Sequence, residues 1–229
     1  MIGVGAQLRL ARLWLVTDTR SASGDLADFL DAVLTGGVEV VQIKEPGLDH
    51  GTELAALRQA WDVASRHRHL VAVSDSAELA ADFGADVVHV AGRQQHRGLT
   101  ELKSGLGRFT RLGVDAGDPD ALQQMLDEPA ADFVLVGAQR DLDLAARAAE
   151  LAPVAAMASK PWLAAGEFDL ARLEQAIEVG VRRIAVARTL TEAADPHRAA
   201  AELAQRLRSV WADDPELTRL TFAALADQS

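Results

Sequence analysis

Short valine-rich runs alternate along the chain with longer stretches in which apolar residues recur every three or four positions. The runs lie at 13–17, 38–43, 70–74, 86–90, 111–114, 132–136, 162–165 and 183–187. Continuous apolar character over so few residues predicts strands covered on both faces, as in a parallel sheet. The intervening stretches include LADFLDAVLTGG, ELAALRQAWDVASRH, SAELAADFGA, PDALQQMLDEPA, DLDLAARAAELA and FDLARLEQAIEVG, and each predicts a helix with one buried face. Gly36-Gly37, Gly84 and Gly180 close helices, where a left-handed C-cap is easiest for glycine. Eight strand–helix units predict an α/β fold of the (β/α)8 TIM barrel type, with a doubly wound sheet as the rival arrangement. No Pro/Ser-rich linker breaks the alternation, so residues 1–210 form one barrel domain. Residues 211–229, WADDPELTRLTFAALADQS, form a helical tail with an apolar face, which offers a surface for packing on the barrel or for a homodimer.

Composition narrows the function classes. The 229-residue chain has no cysteine, so disulfides and thiolate metal sites are excluded, in keeping with a reducing, cytoplasmic setting. A net charge of −11 and 4% aromatic residues argue against nucleic acid, which needs a basic face or stacking platforms. No apolar run approaches the roughly 20 residues that cross a membrane, and the N-terminus lacks the order of a signal peptide.

In a barrel, chemistry sits on the loops after strand C-termini. Here those are 17–24, 44–51, 74–77, 91–98, 115–120, 137–142, 166–169 and 188–195. Gln42 ends a buried strand and must find a polar partner, which makes it a site-lining residue. Lys44 opens the second loop and can meet an anion. Asp75 reads as a metal ligand or, within SDSAEL, as part of a helix cap shared with Ser76. Arg188 and Thr189 follow strand eight, where barrels often hold phosphate on backbone amides. His89, inside VVHVA, reads as a satisfied interior histidine, and GLGRF lies before a strand, where it is no nucleotide fingerprint.

Several segments, taken in order, carry a family resemblance: LWLVTDTR, LTGGVEVVQIKEPG, VAVSDSAELAADFGADVVHVAGRQQ, TRLGVDAGDPDAL, ADFVLVGA and KPWLAAGEFDLARLEQAIEVGVRRIAVARTLTEAADPHRAA. Together they resemble thiamine phosphate synthases, whose superfamily includes thiazole tautomerases, and the final unit is most similar to actinobacterial members. The resemblance implies a TIM barrel. It also implies a magnesium-assisted transfer that joins hydroxymethylpyrimidine diphosphate to hydroxyethylthiazole phosphate and releases pyrophosphate.

Carried over position by position, the resemblance assigns a substrate- and phosphate-binding set of Gln42, Lys44, Ser74, Arg140, Gly166, Arg188 and Thr189. Asp75 takes the place of a magnesium aspartate. The departures are equally specific. Lys44 replaces an arginine, and Pro46 replaces a lysine. Ser74 stands for an asparagine. Gln94 stands for the second magnesium aspartate, which weakens any Mg2+ site. The Thr-Lys loop after strand six is missing, leaving Arg140 as the local cation, and Glu167 replaces the second glycine of a phosphate-binding pair. These replacements predict a phosphorylated small-molecule partner held by a degenerate site, with synthase activity reduced. The alternative is a repurposed or non-catalytic barrel that binds another small ligand or a protein.

Overall fold

A computed structural model describes residues 3–91 and 98–226. Eight parallel strands close into a barrel in sequence order: β1 Leu13–Thr17, β2 Val40–Ile43, β3 Leu70–Ser74, β4 Val87–Val90, β5 Arg111–Ala116, β6 Phe133–Gly137, β7 Trp162–Ala165 and β8 Ile184–Val186. Closure comes from β8 pairing with β1, Trp14 lying opposite Ala185. The doubly wound alternative is thereby excluded. The helices are α1 Val4–Leu10, α2 Leu26–Gly36, α3 His50–His67, α4 Ala77–Phe83, α5 Leu99–Gly105, α6 Pro119–Asp127, α7 Asp143–Leu151, α8 Leu170–Glu178, α9 Arg188–Thr191, α10 Pro196–Asp213 and α11 Pro215–Ala226.

The predicted strands all form, with ends shifted by up to two residues. β2 begins at Val40, not at 38, and β5 extends to Ala116, which takes Asp115 out of the fifth loop and into the sheet. Because side chains alternate across a strand, each strand sends one set inward and the other against the helices. Trp14, Val40, Leu70, Ala72, Val87, Phe133, Leu135, Leu163 and Ala185 fill the barrel interior, while a larger cluster seals the strand–helix shell. Gly113 is required by this packing: a Cβ there would lie 2.0 Å from Cζ of Phe133.

Two elements lie outside the repeating unit. α1 covers the N-terminal end of the barrel with Leu8, which packs into the interior cluster. The last helix of the alternation, α10, runs on to Asp213, past the predicted start of the tail, and buries Trp211. α11 follows and places Leu217, Leu220 and Ala224 inward. Helix caps follow the sequence closely: Asp49, Ser76, Asp118, Asp169 and Asp195 each accept from the backbone amide three residues on.

Candidate functional site

A column of polar side chains rises through the apolar interior to the mouth formed by strand C-termini. Trp14 is fully buried and donates its indole N–H to Oε1 of Gln42 at 3.1 Å. The Gln42 amide nitrogen then donates to Oγ of Ser74 at 2.8 Å and reaches Nδ1 of His89 at 3.1 Å. Ser74 donates its hydroxyl to the carbonyl of Ile43 at 2.7 Å. His89 completes the column with Nε2 2.9 Å from Oδ1 of Asp115. The barrel register explains the assembly: Gln42 pairs with Ala72 on β3, Ser74 with His89 on β4, and His89 with Gly113 on β5, so inward residues of neighbouring strands climb together. Every polar group that the column buries is thereby matched, as the low dielectric of a barrel interior demands.

At the β2–β3 rim, Lys44 Nζ lies 3.3 Å from Oδ2 of Asp75. The other oxygen of Asp75 accepts the amide of Ala91 at 2.7 Å and ties β3 to the end of β4. Asp75 has a left-handed backbone, φ 55°, which swings its carboxylate over the mouth. Capping of α4 falls to Ser76, which accepts from Leu79 at 3.1 Å, so Asp75 is free of the capping role its position allowed. Glu45 reaches the loop after β1 and accepts both the hydroxyl and the amide of Thr19, at 2.5 and 3.0 Å. These two bonds hold its carboxyl below the ordinary carboxylate range. Nearby, burial raises the carboxyl of Glu53; His50 opposes this, while Asp75 and Glu45 add to it.

The β7–β8 rim is arranged differently. Gly166 is fixed by packing, since a Cβ there would lie 2.9 Å from the carbonyl oxygen of Ala138. The next residue, Glu167, turns its carboxylate onto the start of α9. It accepts the amide of Arg188 at 3.2 Å and both the amide and hydroxyl of Thr189 at 2.8 Å. The Arg188 guanidinium adds a looser contact at 3.8 Å and is itself largely exposed. The donors expected to meet a phosphate are thus already engaged by a carboxylate of the same chain. Arg140 lies exposed after β6 and has no hydrogen-bond or ion-pair partner among the described residues.

Of the residues singled out from sequence, Gln42, Lys44, Ser74 and Asp75 are brought together, Gly166, Arg188 and Thr189 form a second group, and Arg140 joins neither. Gln94 lies outside the described residues. His89 and Asp115 belong to the site and were absent from the predicted set. The inward alternation of β4 and β5 is the signal that finds them. The donor set fits magnesium poorly: Asp75 is committed to an amide and an ammonium group, and no group of three His, Asp or Glu residues suited to a metal occurs among the described residues.

Comparison with known proteins agrees with this architecture. Residues 13–190 match the family model described as thiamine monophosphate synthase. The thiamine-phosphate synthase of Thermobifida fusca is 37% identical over 216 residues, covering 88% of this chain and 94% of the relative. That of Acidothermus cellulolyticus is 36% identical over 213 residues, covering 88% and 97%. Among solved structures, thiamine phosphate pyrophosphorylase from Pyrococcus furiosus superposes with a TM-score of 0.76 at 17% identity, over 89% of this chain and 98% of that one, a likeness of fold. With a family model spanning all eight strands and relatives above one-third identity along nearly their full length, the chain belongs to the thiamine monophosphate synthase family.

Proposed function

We propose that this protein is a thiamine phosphate synthase-like barrel of thiamine biosynthesis in which condensation of the two phosphorylated substrates is greatly weakened. The observation that carries this reading is Glu167 seated on the Arg188 and Thr189 amides. A phosphate at that place would have to displace a hydrogen-bonded carboxylate or lie beside it, and like charges at a few ångströms repel. The β2–β3 rim supports the same reading. A diphosphate needs several cations, and Lys44 there already shares its charge with Asp75.

The residues that remain suit a smaller and less charged ligand. Gln42 and Ser74 are spent on the interior, while Lys44 offers one ammonium group and Asp115 one carboxylate backed by His89. Such a mouth can orient a ligand with one donor and one acceptor. The alternative of a repurposed barrel is favoured by this His89–Asp115 pair. Asp75 and Gln94 stand at the positions that the family resemblance assigns to magnesium. A homodimer through the tail belongs to the same reading, supported by Phe222 and Leu225, which stay exposed on α11.

Calorimetry with hydroxymethylpyrimidine diphosphate and magnesium, alongside an assay of thiamine phosphate formation, tests the proposal. The expected result is affinity no tighter than about 1 mM and no measurable turnover. Binding near 1 μM that Lys44→Ala abolishes, with product formed, would overturn it.

A further inference from the structure

The flank of the barrel carries a cleft of about 610 Å³ between α3 and α4, remote from the mouth. Its origin is a mismatch in length. α3 has 18 residues and α4 has 7, which at the helical rise correspond to about 27 and about 10 Å. The last turns of α3 therefore pass the end of α4 with no helix of that unit beside them, their contacts to α2 lying on the other side through His67 and Asp31. Gly84 ends α4 with φ +74°, and a Cβ there would meet nothing within 4 Å, so the gap stays open.

The lining has a definite chemistry. Trp61 from α3 is 53% exposed, an unusual state for the largest apolar side chain, and Phe83 from α4 forms part of the lining. Asp62 and Asp86 bring two carboxylates, and neither has a side-chain hydrogen bond or ion pair among the described residues. Burial lifts the Asp86 carboxyl above its ordinary range with no counter-charge to offset it. Arg58 contributes one cation, and burial lowers the basicity of His69 so that its ring stays neutral near pH 7. The cleft therefore holds one more negative than positive charge, beside an exposed indole. A partly desolvated carboxylate is stabilised by a counter-ion, and an aromatic face attracts cations.

We propose that this cleft binds a small organic cation with a flat apolar body, its ring against Trp61 and its charged nitrogen directed at Asp86. Isolated carboxylates attract any cation and isolated aromatic residues any ring. Only a ligand carrying both features uses the whole lining. The proposal does not depend on the reading of the barrel mouth.

The full chain, labelled with ¹⁵N, is titrated with benzamidine, and its neutral isostere benzamide serves as control. The Trp61 indole signal is assigned by its loss in Trp61→Phe. Benzamidine should shift that signal saturably at concentrations on the order of 1–10 mM. Asp86→Asn, which preserves shape and fold, should weaken the response at least about fivefold, and benzamide should produce none. The proposal is overturned by the absence of a saturable shift at Trp61, by an equal response to benzamide, or by unchanged affinity in Asp86→Asn.

Discussion

The two rims of the mouth show opposite arrangements. At β2–β3, polar groups continue downward into the barrel: Lys44 meets Asp75 above, while Gln42, Ser74 and His89 are interlocked beneath. At β7–β8 the arrangement is shallow and self-contained, one carboxylate closing over two amides and a hydroxyl. The first rim keeps an ammonium group about one-third exposed. The second uses up its donors internally. The backbone donors of a rim can thus stay in place and be satisfied from within the same chain.

The strongest test of this contrast is at the foot of the deep rim. Gln42→Leu leaves the Trp14 indole N–H without an acceptor and removes the donor facing Ser74 and His89. A stability loss of about 2–4 kcal/mol is expected, measured by urea unfolding. Glu167→Gly addresses the shallow rim. It frees the Arg188 and Thr189 amides and should raise affinity for inorganic phosphate at least about tenfold, read by calorimetry. If phosphate binding stays unchanged, engagement of those amides is not what excludes the anion.

Smaller effects separate the parts of Asp75. Asp75→Ala should cost about 1–2 kcal/mol through its left-handed backbone and the lost Ala91 bond. Asp75→Asn should be nearly neutral in thermal unfolding, because asparagine tolerates that conformation and still accepts. A double-mutant cycle between Lys44 and Asp75 should give less than about 1 kcal/mol, since both groups are about one-third exposed. The smallest effect concerns pH. The carboxyl of Glu45 is depressed by Thr19, so its stabilising contribution is present above the unfolded-state value of 4.5 and is lost as pH falls through the lower folded-state value. Thr19→Val should flatten the stability–pH curve in that acid window.

Much of the fold was legible because strands covered on both faces leave continuous valine runs that no exposed helix would show. The strand ends were not, since a ladder stops where its neighbour stops: Val38 is buried yet outside β2. α1 gave no pattern, because seven residues hold too few turns to display a face. Within the site, the approach of Lys44 to Asp75 follows from adjacent loops of a barrel. The posture of Glu167 does not, because a carboxylate next to a glycine could serve a helix dipole or seek amides beyond the following strand, and only the spacing of β7 and β8 decides. The pairing of His89 with Asp115, 26 residues apart, likewise requires the register.

Phe133 lies across from Gly113, 5.3 Å from the ring of Trp14 and 6.3 Å from that of His89, where a Cβ on the glycine would collide with it. The two positions form a lock with an order of opening. A change at Gly113 alone is blocked, and a smaller residue at 133 must come first, at the cost of a void beside Trp14 and His89. Remodelling the floor of this mouth therefore requires the change at 133 before the change at 113, with a less stable protein between them.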